Sequence, residues 1–182
     1  MPLDAAPIND RELVLVREID APAHVLFRCW TEPELMKQWF APKPWEVAHV
    51  EVDLRPGGKS LIVMRGPDGA EFPNPGVYLE VVPGRRIVFT DAYTEGWVPT
   101  ESPMFTGIIE FHDLGDGRTR YVVRARHWTV EARKQHEEMG FHEGWGVCAD
   151  QLAELATTLR DCGFLPLGVV GRRLTYETTD RV

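Results

Sequence analysis

Tyr121 and His127 are the residues best suited to chemistry in this sequence. They share the parity of Val123 and Ala125 along a predicted strand, so all four side chains should face the interior of a sheet. A buried polar atom without a partner costs about 1–3 kcal/mol, so either residue could orient a ligand hydroxyl or carbonyl. His127 could also act as an acid or a base near neutral pH. The alternative is a histidine that is satisfied by a backbone group or by Glu143.

A metal site is suggested by His136, His142 and Glu143, but their spacing argues against it. Six helical residues turn through about 600°, so His136 and His142 would lie on different faces of one helix. The two histidines of a zinc-binding H-E-x-x-H helix are instead four apart and share a face. Only a helix break at Gly140 would bring these residues together. We therefore expect no metal and no cofactor.

Motifs for covalent catalysis are absent from the sequence. It contains no G-x-S-x-G, no phosphate-binding glycine loop and no dinucleotide fingerprint. Cys29 and Cys148 fall on apolar helix faces, where burial raises the pKa of a thiol and makes it unreactive. The sequence therefore predicts no catalytic residue of these kinds.

The elements that must position Tyr121 and His127 are alternating strands and one long amphipathic helix. Gly115-Asp116-Gly117, between two alternating runs, is typical of a tight hairpin. Asp20 and Thr31 are predicted to cap short helices, and Thr129 begins the long one. The predicted strands cover residues 12–19, 45–54, 60–65, 76–82, 86–93, 104–114 and 119–128, the long helix covers 129–159, and 94–103 form an irregular loop.

This order predicts an α+β domain in which a seven-stranded curved antiparallel sheet surrounds a long C-terminal helix, with two short helices after the first strand. One helix is about 10 Å across, narrower than seven strands, so the sheet must curl to bury its inner face. A cavity then remains between sheet and helix. We expect residues 1–11 to form a flexible arm, 12–160 the domain, and 161–182 an extension of unknown role.

The candidate ligand-binding residues share an inward position, although any one of them could simply fill the core. In the last strand Arg120, Arg124 and Arg126 are expected to face water, so the residues between them face inward. Other candidates come from the preceding strands, the second short helix and the start of the long helix. The set is Trp39, Phe40, Ile62, Met64, Ile109, Phe111, Tyr121, Val123, His127, Met139, Phe141 and Trp145.

Charge and composition limit the partners. A net charge of −8 argues against nucleic acid, and the arginines of residues 118–126 fit a solvated strand face better than a binding stripe. No apolar run approaches the ~18 residues that span a bilayer, so we expect no membrane insertion. The three cysteines are too few and too scattered for a disulfide framework, and no signal peptide is visible. We expect a cytoplasmic protein, and a homodimer is left open.

Four segments carry a resemblance to a known family: LVLVREIDAPAHVLFRCWTEPELMKQWFAP, VDLRPGGKSLIVMRGPDG, PGVYLEVVPGRRIVFTDA and HEEMGFHEGWGVCADQLAEL. The Ala-Pro step, the W-T-x-P and W-F-x-P motifs and the M-G-F-x-x-G-W helix start are its specific features. The sequence resembles bacterial proteins related to the activator of the heat-shock-protein-90 ATPase, in the SRPBCC (START-like) superfamily. The resemblance implies a helix-grip fold, with a cavity that holds lipids, polyketides or other apolar molecules in related families.

Three functions remain after these observations. The first is a non-catalytic protein that binds a small apolar or amphipathic molecule between sheet and helix. The second is an enzyme of the cyclase or hydrolase type that uses the same cavity, with His127 or Tyr121 acting on the substrate. The third is a stress-related, co-chaperone-like interaction module that uses the loop around Trp97. Among the proteins that the sequence resembles, the chaperone-activating role belongs to larger eukaryotic relatives with a separate N-terminal domain. This favours the first function, the binding of a small molecule.

Overall fold

The structure is a computed structural model that describes residues 6–161 of the 182-residue chain. It confirms the predicted α+β fold, with an antiparallel sheet, two short helices after the first strand and a long C-terminal helix. The predicted extension, apart from Asp161, lies outside the described residues. In chain order the elements are β1 (Glu12–Ile19), α1 (Ala23–Thr31), α2 (Pro33–Met36), β2 (Glu46–Val52), β3 (Lys59–Arg65), β4 (Glu71–Val82), β5 (Arg86–Thr90), β6 (Tyr93–Thr94), β7 (Val98–Pro99), β8 (Thr106–Gly115), β9 (Arg118–Arg126), α3 (Val130–Glu138) and α4 (Phe141–Asp161).

The seven-stranded sheet has the order β1-β9-β8-β5-β4-β3-β2, with every neighbouring pair antiparallel. Strand β1 lies beside the last strand, β9, so the chain crosses through α1 and α2 to start the opposite edge with β2. Helix α4 contacts both α1 and β1, and α1 also contacts β8. The β1, β8 and β9 side of the sheet is therefore covered by two helices.

The helical region predicted over residues 129–159 is divided in two. Thr129 does begin it, because its Oγ1 accepts a hydrogen bond from the Ala132 backbone N–H at 3.0 Å. Helix α3 then stops, and Gly140, with φ of +95°, separates it from α4. Glycine adopts this left-handed backbone without a steric penalty, whereas other residues do not. The break changes the direction of the side chains on either side of it.

The predicted caps Asp20 and Thr31 are wrong. Helix α1 begins after Pro22 and α2 begins after Glu32, and neither receives a side-chain cap. Thr31 is the last residue of α1, and its hydroxyl donates back to the Phe27 carbonyl at 2.8 Å. Asp20 instead pairs with Arg160 of α4 at 2.7 Å, which ties the end of the first strand to the long helix.

Two strand predictions need correction, whereas the hairpin prediction is confirmed. Strand β4 starts at Glu71, five residues before the predicted start, because residues 71–76 pair only with β3 and prolines are tolerated at such an edge. The predicted strand 86–93 ends three residues early, at Thr90, and Tyr93 instead pairs with Pro99 in the small hairpin β6–β7, most of which lies in the predicted irregular loop. The predicted hairpin joins β8 and β9, and residues 115–117 at its turn all have positive φ.

The expectation that Arg124 faces water is wrong. Its side chain is only 11% exposed and donates to the Glu12 carboxylate at 3.0 Å, while Glu12 itself is fully buried. Burial alone would raise the pKa of Glu12, but hydrogen bonds from Arg126 and the Ile8 backbone, with the two arginine charges, lower it overall. Residues 6–8 pack over this pair, since the Ile8 N–H donates to Glu12 and Arg124 donates to the Ala6 carbonyl. This part of the predicted arm is held against the sheet.

Candidate functional site

A cavity of about 560 Å³ lies between the middle of the sheet and the start of α4. Its size falls within the range of small-molecule sites, roughly 300–1,000 Å³. Strands β3, β4 and β5 form one wall, and residues 100–105 form a second. The α3–α4 junction and the first turns of α4 form the third. Met139 at that junction lines the cavity and is 75% exposed, which places an opening beside it.

Half of the predicted ligand-binding residues line this cavity. Ile62 and Met64 do so because they share one face of β3, as strand parity predicts. The others come from the end of the second short helical segment and from the α3–α4 region. The six are Phe40, Ile62, Met64, Met139, Phe141 and Trp145.

The other six predicted residues do not line the cavity and belong to the packed core or its edge. Five of the six belong to the hydrophobic core cluster, and His127 lies at its edge beside His136. Tyr121 is fully buried, and its hydroxyl accepts a hydrogen bond from Trp30 Nε1 at 3.2 Å. The six are Trp39, Ile109, Phe111, Tyr121, Val123 and His127.

Aromatic side chains close the cavity on the side of the core. Trp145 stacks on Trp30, with ring centroids 6.2 Å apart and planes 13° apart. Phe40 meets both rings edge-on, at 5.6 Å from Trp30 and 6.0 Å from Trp145. Such contacts add to the burial of apolar surface. The interior is thus filled by the protein's own rings toward Trp39 and stays open toward β4.

His127 reaches the cavity through a second histidine, His136 of α3. His127 Nδ1 lies 3.0 Å from the Arg11 carbonyl, and its Nε2 lies 2.9 Å from His136 Nδ1. His136 lines the cavity, and burial, followed by the neighbouring His127, lowers its pKa to about 4. The sequence marked His136 only as a metal candidate, because an unbroken helix gave no reason to place it beside His127.

Asp91, just after β5, is a second cavity-lining residue that sequence reasoning missed. Its carboxylate accepts hydrogen bonds from the backbone N–H groups of Met104 and Phe105, at 2.7 and 3.3 Å. The Thr100 hydroxyl donates to the Asp91 carbonyl at 2.6 Å. Burial is the main influence on the pKa of Asp91 and raises it. Only its position at the end of a strand, before a polar loop, could have drawn attention to it.

The remaining reactive residues support no covalent or metal chemistry within residues 6–161. The Cys148 thiol lines the cavity, but it donates to the Phe40 carbonyl at 3.1 Å and burial raises its pKa to about 12. Burial likewise raises the pKa of Cys29 to about 12. No group of three His, Cys, Asp or Glu side chains in this part of the chain is arranged to hold a metal ion. His142 lies beside Glu137 at 3.6 Å, outside the cavity.

Comparison with known proteins agrees with this architecture. Residues 20–157 match the family described as "Activator of Hsp90 ATPase homolog 1-like protein", which spans the chain from α1 to most of α4. The chain belongs to this family. No curated protein matches the sequence. Among residues 6–161, no helix is both long and apolar enough to cross a membrane.

Solved structures of bacterial proteins share the family's fold. A crystal structure of a protein from Nitrosomonas europaea is 43% identical, with a TM-score of 0.81, covering 85% of this chain and 99% of the other. A Mycobacterium smegmatis protein is 26% identical with a TM-score of 0.69, covering 82% and 92%. An AHSA1-like protein from Aeromonas hydrophila, at 18% identity and a TM-score of 0.60 over 81% and 94% of the chains, shares the fold alone.

Proposed function

We propose that this protein binds a small apolar or amphipathic molecule in the cavity between β3–β5 and the start of α4. The observation that carries the proposal is the cavity itself, about 560 Å³ and lined mainly by apolar and aromatic side chains. Small-molecule sites are concave, mostly apolar and of this size. The opening beside Met139 gives a ligand a way in.

The chemistry of the cavity wall supports an apolar guest with a polar group. Ile62, Met64 and Phe89 supply apolar surface from the sheet, and Phe141 and Trp145 supply it from α4. A few polar groups interrupt that surface, in the pattern typical of small-molecule sites. The homodimer and the cytoplasmic location stay predictions beside this proposal.

Native mass spectrometry of the purified protein is the first test. We expect an added mass from a co-purified small molecule, which organic extraction then identifies. A panel of lipids and polyketides should also raise the thermal unfolding temperature of the ligand-free protein, because a ligand that binds only the folded state stabilises it. Absence of both a bound mass and any stabilisation would contradict the proposal.

Gly144→Phe is the variant that tests the location. Gly144 lines the cavity, and a Cβ built on it meets no atom within 4 Å, so a phenyl ring there occupies the ligand's space. We expect the Phe variant to fold and to lose binding. Gly144→Ala is the matched control, because it makes the same backbone change and adds only a methyl group. Equal binding by both variants would place the ligand elsewhere.

An enzyme that uses this cavity is the second candidate, and the placement of His136 favours it. An imidazole with a low pKa is a neutral base at pH 7, and this one lines the cavity. The candidate requires a product, so incubation with the bound molecule followed by mass spectrometry separates it from simple binding. Loss of turnover in His136→Phe with the fold retained would favour catalysis; unchanged ligand mass after long incubation would favour binding.

A further inference from the structure

A chain of hydrogen bonds fixes which atom His136 offers to the cavity. The Arg11 carbonyl can only accept, so His127 Nδ1 carries the hydrogen of that 3.0 Å bond. The neutral His127 ring then has a lone pair on Nε2. The 2.9 Å contact to His136 therefore requires a hydrogen on His136 Nδ1. In the neutral His136 ring, Nε2 is left as an acceptor.

This acceptor is open to a ligand. His136 makes no hydrogen bond through Nε2 to any residue from 6 to 161, and this atom is not fully buried. Because His136 lines the cavity, we infer that Nε2 is the atom that it offers there. Phe105 and Phe141 hold the ring in place, each with its centroid 5.1 Å from the imidazole.

Asp91 adds a second acceptor to the same cavity. Each carboxylate oxygen accepts one backbone hydrogen bond, from Met104 or Phe105, and retains a further lone pair. Phe105 joins the two acceptors, because its backbone bonds Asp91 and its ring packs on His136. Among the described residues that line the cavity, none is Lys or Arg. A carboxylate brought in by a ligand would meet no fixed positive charge there.

Several donors in the cavity wall are engaged with the protein itself. Asn74 directs its amide N–H groups to the carbonyls of Ile62 and Phe72, at 3.2 and 3.0 Å. The Thr100 hydroxyl donates to the Asp91 carbonyl, and the Cys148 thiol is also occupied. The remaining donors of the wall are neutral groups, on the side chains of Ser60, Thr90, Ser102 and Trp145. An unpaired buried acceptor costs free energy, so His136 Nε2 and Asp91 favour a ligand that donates to them over one that cannot.

We propose that the cavity takes an apolar molecule bearing a hydrogen-bond donor, a hydroxyl or an amine, which donates to His136 Nε2 or Asp91. Molecules whose only polar group is a carboxylate or an ether are disfavoured. This inference rests on the proposed binding function and narrows its ligand class. It treats His127 as a positioning residue that sets the tautomer of His136 and does not touch the ligand.

Four probes with one alkyl chain test the inference on the unaltered protein: decanol, decylamine, decyl methyl ether and decanoate. Affinities are measured by titration calorimetry at pH 8, above the ordinary pKa of imidazole, about 6.5. We expect decanol to bind about five- to tenfold more tightly than the ether, the range expected for one hydrogen bond. Decylamine is a cation at pH 8 and should bind at least as tightly as decanol, because it also donates to the Asp91 carboxylate. Decanoate should bind least well.

His136→Phe checks the acceptor, with His142→Phe as the matched control at an exposed histidine outside the cavity. We expect the first to weaken the preference for decanol over its methyl ether, with Asp91 accounting for any preference that remains, and the second to leave the preference unchanged, with circular dichroism confirming both folds. An unchanged preference in both His136→Phe and Asp91→Ala would overturn the inference. Equal affinity for the four probes, or tightest binding of decanoate, would overturn the inference while leaving the cavity a binding site. Failure of all four to bind would overturn the proposed function, and this inference with it.

Discussion

The two halves of the space between the sheet and α4 are filled very differently. In the packed half, beneath β1, β8 and β9, α1 adds a second helical layer, and Leu26, Leu152 and Ala156 are fully buried. In the open half, beneath β3, β4 and β5, the sheet faces residues 100–105, the α3–α4 junction and the start of α4, and a cavity remains between them. The sheet is continuous across both halves. The difference therefore lies in the covering helices.

Glycine explains why the start of α4 covers so little. Gly140 ends α3 with a positive φ, and Gly144, one turn later, also lines the cavity. A Cβ on Gly144 would meet open space. Further along the same helix, Leu152 has no exposed surface. The cavity thus lies beside two positions of this region that have no side chain, Gly140 and Gly144, whereas Leu152 fills the core further along α4.

Shortening a side chain to alanine should lower the free energy of unfolding much more in the packed half than in the open half. Leu152→Ala removes a fully buried side chain from the packed half and should lower the free energy of unfolding by about 3–5 kcal/mol, because the cavity it creates cannot collapse. Met64→Ala, at a half-buried cavity wall, should cost about 1 kcal/mol or less. Urea denaturation of both variants checks this, and equal losses would mean that the open half is closed in solution.

Acid should lower the free energy of unfolding of the protein through His136, which lines the cavity of the open half. The pKa of His136 is about 4 in the folded protein against an ordinary value of about 6.5, so the unfolded chain binds the extra proton between these values. Stability is then fully present above about pH 6.5 and falls as the pH drops toward 4. From pH 7 to pH 5 the loss should be about 2 kcal/mol.

His136→Gln isolates this contribution, since glutamine keeps hydrogen-bonding groups but does not titrate. Other titrating groups, including Asp91, whose pKa is raised by burial, are present in both proteins. The difference in unfolding free energy between wild type and variant should therefore shrink as the pH falls. Parallel curves across the range would show that His136 is hydrated and is protonated normally.

The sequence predicted the fold well because turns and alternation are local signals. Gly115-Asp116-Gly117 predicted a hairpin turn, and its residues adopt positive φ. Alternation along β3 predicted that Ile62 and Met64 share a face, and both line the cavity. Strand parity predicts which residues face inward but not which of them line a cavity, because that depends on which helical turn lies opposite. Tyr121 and Ile62 are equally inward, yet only Ile62 lines the cavity.

The contact between His127 and His136 could not be predicted from the sequence for a different reason. Their contact joins the end of β9 to α3, and the direction of α3 depends on the break at Gly140. A continuous helix has a fixed angular phase, and that phase gave no reason to place His136 beside His127. Asp91 was missed because its role comes from the path of residues 100–105, which no periodicity describes.

Gly140→Ala should affect both stability and binding. Forcing alanine into φ of +95° costs about 1–2 kcal/mol, and any relief of that strain shifts Met139 and Phe141 at the cavity. Gly115→Ala is the control, because Gly115 has φ of +80° in the β8–β9 hairpin and lies outside the cavity. We expect similar losses of stability but weaker ligand binding only for Gly140→Ala. Identical ligand binding by the two variants would show that the helix break at Gly140 does not affect the binding site.

The smallest expected effect is a gain in stability, from replacing helical glycines by alanine. Glycine within a helix is less favourable than alanine by about 0.5–1 kcal/mol, so Gly144→Ala and Gly146→Ala should each stabilise the protein by up to that amount. Gly146 does not line the cavity, and a Cβ there meets the flexible tip of Arg17 at 3.4 Å.

Extending the series at each position to valine and leucine then separates helix propensity from function. At Gly144 larger side chains should enter the cavity, preserve the fold and progressively weaken ligand binding, because a Cβ there has free space. At Gly146 they should displace Arg17 and lower stability without changing affinity for the ligand. Thermal unfolding and calorimetry on both series measure the two effects. If binding tolerates every substitution at Gly144, the glycine does not keep the cavity open for a ligand, and the contrast between the two halves is one of packing alone.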